Sequence, residues 1–142
     1  MEAHLPDQPR QGGCLCGAVR FEITGPVLYS CICHCQSCRK ASGGAYVPWA
    51  TFEKARLSLL AGDMQWFRSS PGVTRGHCPS CGTTLTYEHE DRTGQNDITV
   101  SSFDDPTQLA PVAHIWVEDK LPWVCIDDEL PRYAKTADAT AI

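Results

Sequence analysis

Cys31-Ile32-Cys33-His34-Cys35-Gln36-Ser37-Cys38-Arg39-Lys40, residues 31–40, crowds four thiols into one short arc of chain. Cys33, Cys35 and Cys38 combine a strand-type spacing with a turn-type spacing, so three sulfurs can converge on one point. Three protein ligands with a free fourth position describe a catalytic zinc site, whereas a closed structural site uses four. Cys31 and His34 are the side chains near enough to close the fourth position. An extended Cys31–Cys35 span of about 13 Å is too long for one ion to bridge, and His34 points to the opposite strand face from its neighbours. After the third thiol the chain reads as one helical turn, Gln36–Ser42, ending at Gly43-Gly44, where glycine readily takes a positive φ. Zinc on three thiolates carries a formal charge of 2 − 3 = −1, which Arg39 and Lys40 beside it would offset. The same two cations would attract a substrate carboxylate, or stand as a solvated surface pair.

Working outward, Cys14-x-Cys16 and Cys78-Pro79-Ser80-Cys81-Gly82 supply four further clustered thiols. In an extended strand residues i and i+2 point the same way about 6.6 Å apart, so a slight bend puts Cys14 and Cys16 on one metal. Cys78-x-x-Cys81-Gly82 reads as a knuckle whose tight turn aims both sulfurs at a cation. Together they make a closed four-thiolate site, and structural zinc contributes on the order of 10 kcal/mol to small metallodomains. A redox-active Cys78–Cys81 disulfide is the competing reading, and it lacks the β-α-β setting of such motifs. The total of nine cysteines is odd, and Met1–Gln11 contains no apolar export run. A reducing, cytoplasmic location with metal-ligating thiols is therefore expected, rather than a disulfide framework.

Period-2 alternation dominates the rest. Val19, Phe21 and Ile23 share one strand face while Ala18, Arg20, Glu22 and Thr24 take the other. Weaker alternation predicts strands over 27–33, 45–52, 56–60, 64–69, 73–78, 83–89, 97–103 and 112–117, separated by turn residues such as Gly25-Pro26, Gly62-Asp63 and Pro71-Gly72. The expected fold is mainly β, with folded antiparallel sheets held by zinc and only short helical turns. One domain is expected over 10–133, with flexible ends at 1–9 and 134–142.

The charge balance of 12 basic against 17 acidic residues, net −5, leaves no basic field for a nucleic acid. No stretch of about 18 apolar residues suggests a membrane span. A deaminase-type zinc site would need an upstream H-x-E, which is absent. Trp49, Trp66, Trp116 and Trp123 read as core fillers, Cys125 as a small buried hydrophobe, and His77, His89 and His114 as structural or exposed. Arg75 either packs over thiolates or lies on the surface, and Asp127-Asp128 lacks a partner spacing that demands catalysis.

Gly13-Cys14-x-Cys16-Gly17, Cys33-His34-Cys35-x-x-Cys38-Arg39-Lys40, residues 43 to 45 and Cys78-Pro79-x-Cys81-Gly82-Thr83, followed by 101–106, His114-Ile115 and 123–131, resemble the glutathione-dependent formaldehyde-activating family. That family is also called CENP-V-like, with an Mss4-like folded-sheet architecture. The resemblance implies two zinc ions, a structural one on Cys14, Cys16, Cys78 and Cys81 and a second on Cys33, Cys35 and Cys38. It implies an S-(hydroxymethyl)glutathione synthase-like carbon-sulfur lyase, with a small-molecule thiol, glutathione or a relative, and formaldehyde or a related aldehyde as partners. Arg39, Lys40 and His34 are the candidate contacts for the thiol substrate. His77 stands where such proteins usually carry an aromatic residue, and Cys31 is an additional thiol. The alternative is a non-catalytic zinc-stabilised thiol carrier or protein-interaction scaffold. Association into a homo-oligomer is compatible with the sequence.

Overall fold

The computed structural model describes residues 8–137; the expected flexible ends fall largely on 1–7 and 138–142, outside the described residues. Val19, Phe21 and Ile23 share a face that is buried almost completely. Phe21 and Ile23 belong to β2 (Arg20–Ile23), the central strand of a three-stranded antiparallel sheet in the order β1-β2-β5, with β1 spanning Arg10–Gly13 and β5 Leu57–Ala61. Sequence alternation does not anticipate β1, because Gly12-Gly13 offers no side chain to alternate. Gly12 is nonetheless what allows the pairing. A Cβ there would stand 2.5 Å from the Phe21 ring and 2.5 Å from the Ser102 carbonyl.

The second sheet has seven strands in the order β10-β3-β4-β9-β8-β7-β6. Its members are β3 (Tyr29–Cys33), β4 (Val47–Glu53), β6 (Gln65–Ser70), β7 (Val73–His77), β8 (Thr84–His89), β9 (Gln95–Thr99) and β10 (His114–Ile115). Pairing is antiparallel except for β10, which joins β3 in parallel. The expected strand over 112–117 shortens to two residues because Trp116 turns the chain at φ 55. The strand expected over 97–103 stops at Thr99, whose carbonyl accepts from the Ser102 hydroxyl at 2.7 Å, and a 3-10 turn Val100–Ser102 follows. The helix α1, Gln36–Ser42, ends at Gly43 with φ 77, as its sequence predicts.

Alternation along β4 divides the interior in two. Ala50 and Phe52 join Phe21, Ile23, Ile98 and Phe103 in the main core, while Val47 and Trp49 face the other way and pack with Cys31, Cys33 and Cys38. Each large apolar side chain buried in this way contributes roughly 1.5–3 kcal/mol. Trp49 fills a core as expected, but Trp66 and Trp123 are 41% and 71% exposed. Cys125 is also exposed, contrary to the buried role expected of it. The C-terminal segment laces onto β10: His114 N–H donates to the Pro131 carbonyl, and Trp116 N–H to that of Lys135. Among the described residues no helix is long and apolar enough to cross a membrane.

Candidate functional site

Cys14, Cys16, Cys78 and Cys81 bring their sulfurs within 4.8 Å of one another. A regular tetrahedron of sulfurs 2.3 Å from a zinc ion has edges of about 3.8 Å. The sulfurs of Cys14 and Cys16 lie 3.6 Å apart and those of Cys16 and Cys78 3.8 Å, so the group fits that ion. Cys14 and Cys16 do not lie on an extended strand; they occupy the turn after β1, closed by the Gly17 N–H on the Cys14 carbonyl. The Cys78–Cys81 knuckle is as expected, with the Ser80 and Cys81 amides aimed at the Cys78 sulfur and Gly82 at φ 77. Thr83 joins the two halves. Its hydroxyl accepts from the Leu15 N–H at 3.0 Å and lies 3.1 Å from the Cys81 sulfur, which it draws, with its amide, down to about 5.

Cys33, Cys35 and Cys38 form a second convergent group, also within 4.8 Å. Cys33 ends β3, Cys35 caps α1 by accepting from the Cys38 amide at 3.2 Å, and Cys38 lies one turn into the helix. No fourth His, Cys, Asp or Glu among the described residues joins this group. The Cys33 and Cys38 thiols hold Cys35 well below the ordinary thiol range, helped by the Cys38 amide and the Arg75 charge. Cys33 is driven up in return by sharing its proton with Cys35 and Cys38. Cys38, which Cys33 pulls down, still ends above its ordinary value under the combined weight of Cys35 and burial. Three sulfurs this close repel one another as thiolates, so a cation could be held between them. Cys31 stays outside the group, and burial pushes its thiol up to about 12.

The three-thiol group opens on a cavity of about 800 Å³, within the range of small-molecule sites. Strand register explains its wall. Tyr29, Cys31 and Cys33 alternate onto one face of β3. Pairing carries that face across the sheet from Tyr29 to Thr51, Asp97, Tyr87 and Arg75 in turn. All of these line the cavity. Asp97 accepts from the Thr51 hydroxyl at 2.6 Å and lies 2.8 Å from Arg92. Arg75 is buried at 3% exposure, its guanidinium 4.9 Å from the centre of the Tyr87 ring. Sequence reasoning passed over Tyr87 and Asp97 and left Arg75 undecided, because only the pairing of remote strands brings them to the thiols.

His34, Arg39 and Lys40 are not among the cavity-lining residues. Arg39 donates to the Asp119 carbonyl at 3.3 Å, and Lys40 is exposed on α1. His34 is buried, with its Nε2 2.9 Å from His114 Nδ1, and His114 Nε2 is 2.8 Å from Asp128 Oδ2. A carboxylate at Asp128 accepts from His114 Nε2–H, so His114 Nδ1 accepts from His34 Nε2–H. His34 Nδ1 is then left as a buried lone pair without a partner. Burial leads in pushing His34 down to about 4, and the Lys120 charge acts in the same direction. Asp128 and His114, which the sequence offered no reason to join, thus pin the C-terminal segment beside the three-thiol group.

The class these features define is that of mainly β proteins with a four-thiol group and, at a cavity, a three-thiol group, each of which could hold a metal ion. The chain belongs to the glutathione-dependent formaldehyde-activating enzyme family, whose sequence profile matches residues 9–119. A crystal structure of a Rhodobacter sphaeroides protein from a structural-genomics programme is 21% identical with a TM-score of 0.59, covering 73% of this chain and 98% of that one. That likeness is one of fold. No curated protein sequence matches the chain.

Proposed function

We propose that this protein is a carbon-sulfur lyase-type enzyme that joins a small thiol, glutathione or a relative, to formaldehyde or a related aldehyde. The observation that carries the reading is the contrast between the two centres: four sulfurs converge where the metal has only to staple turns together, and three converge where a cavity begins. Zinc, when bound by Cys33, Cys35 and Cys38, supplies a positive centre that favours the thiolate, the nucleophilic form of the substrate. The cavity wall holds the thiol and aldehyde close together. The substrate sulfur then bonds to the carbonyl carbon, the π pair moves to oxygen, and that oxygen takes up a proton to complete the hydroxymethyl adduct. Glutathione and formaldehyde give S-hydroxymethylglutathione. Cytoplasmic work in a reducing, thiol-rich compartment suits this chemistry.

The test is NMR detection of the adduct from labelled formaldehyde and glutathione, with the uncatalysed addition subtracted. Zinc-loaded protein should accelerate adduct formation and Cys35→Ser should not. Calorimetric binding of glutathione without acceleration would make the protein a carrier; no binding would leave the scaffold reading.

A further inference from the structure

We infer that Arg75 is the counter-charge of the three-thiol site: its guanidinium offsets the negative charge that an incoming thiolate adds, so the cavity selects a thiolate over a neutral donor. The inference rests on the proposed thiol chemistry and assigns one residue a role within it.

Arg75 is buried and makes no ion pair among the described residues. Its Nε donates to the Ser69 hydroxyl at 3.2 Å, its plane lies near the Tyr87 ring, and Nη1 has no hydrogen-bond partner. A guanidinium held this way, out of water and without a carboxylate, is a costly arrangement unless a negative charge arrives to meet it. Strand register sets it on the sheet face that carries Cys33, and it lines the same cavity as Cys33, Cys35 and Cys38.

The other charges on the wall are otherwise engaged. Arg92 is spent on Asp97 at 2.8 Å. Asp91 is 85% exposed and lies 3.7 Å from His89. Asp119 accepts from the Gln36 amide at the start of α1. Zinc on three thiolates has a net charge of −1, and a fourth thiolate makes it −2, whereas a neutral donor leaves it unchanged. Arg75 is the cation on this wall without a counter-ion, and the second negative charge is the one it can balance.

The test uses cobalt-substituted full-length protein titrated with 2-mercaptoethanol, a neutral monothiol, and separately with imidazole, each read from the cobalt absorption bands. Arg75→Gln should weaken 2-mercaptoethanol binding by roughly tenfold or more, a shift of about one unit in the acidity of the bound thiol. Imidazole affinity should stay within about twofold, and Arg75→Lys should recover most of the loss. Equal weakening of both ligands would reduce Arg75 to a structural role, and no weakening would remove it from the site. Loss confined to a carboxylate-bearing thiol such as mercaptosuccinate would make it a carboxylate clamp; each of these outcomes overturns the inference. If Arg75→Gln does not fold, Arg75→Met, which keeps the stem and removes the charge, carries the same comparison with the same expected loss for 2-mercaptoethanol and not for imidazole. Wild-type cobalt protein that binds no thiol would overturn the proposed function as well, whereas a thiol-binding wild type matched by Arg75→Gln overturns this inference alone.

Discussion

Cys16→Ser separates the four-thiol centre from the packing around it. Cys14 and Cys78 are buried in the main core, so changing either would disturb apolar contacts as well as the metal; Cys16 is exposed and contributes almost nothing except its sulfur. Structural zinc is worth about 10–16 kcal/mol on four ligands, so loss of one removes roughly 3 kcal/mol and weakens zinc about 100-fold. A second estimate comes from topology. Cys16 and Cys78 are 62 residues apart, and the chain-entropy relation for a cross-link closing a loop of that length gives about 4 kcal/mol when the tie is lost completely. A domain of ordinary stability has about 5–15 kcal/mol in total. Urea unfolding followed by tryptophan fluorescence, at buffered free-zinc concentrations, should show Cys16→Ser needing about 100-fold more zinc to reach wild-type stability. Chelator should drop the wild type by several kcal/mol. A Cys16→Ser protein whose unfolding midpoint matches the wild type within about 0.5 kcal/mol at every zinc level would refute the tetrathiolate assignment, because no packing loss is available to confuse the result.

Cys35→Ser should keep the fold, since a serine hydroxyl caps the start of α1 at least as well as sulfur does; circular dichroism should be unchanged while bound zinc falls from two ions to one. Acid should destabilise the protein through His34. It stays neutral in the folded chain down to about 4, whereas an unfolded histidine titrates near 6.5, so the unfolded chain binds the extra proton as pH falls between these values. Stability should drop by about 3 kcal/mol across that window, and urea melts of a folded His34→Phe variant should show a flatter slope. Gly12→Ala drives a Cβ into the Phe21 ring and the Ser102 carbonyl; a loss of about 1–3 kcal/mol in urea unfolding is expected.

Local signals were legible in the sequence where the physics is local. The buried face of Val19, Phe21 and Ile23, the helix Gln36–Ser42 with its Gly43 stop, and the Cys78–Cys81 knuckle all follow from spacing and turn chemistry. Gly12-Gly13 hid β1 because half of that strand has no side chain to alternate. Cys14-x-Cys16 has the spacing of a strand pair, yet the chain turns there because it reverses to start β2. The parallel addition of β10, the His34–His114–Asp128 chain and the cavity wall through Tyr87 and Arg75 depend on which distant strands pair and in which register. Periodicity within any one segment carries no information about that choice.

The alternation along β4 has a consequence for how such a protein diversifies. Trp49 and Ala50 are chain neighbours, yet one borders the thiol cavity and the other the main core. Substitution at Trp49 therefore reshapes what the site admits at the expense of the smaller cluster, while the main core one residue away keeps its contacts. Relatives with new small-molecule preferences are reachable by steps whose cost falls on the cavity-side cluster and not on the main core.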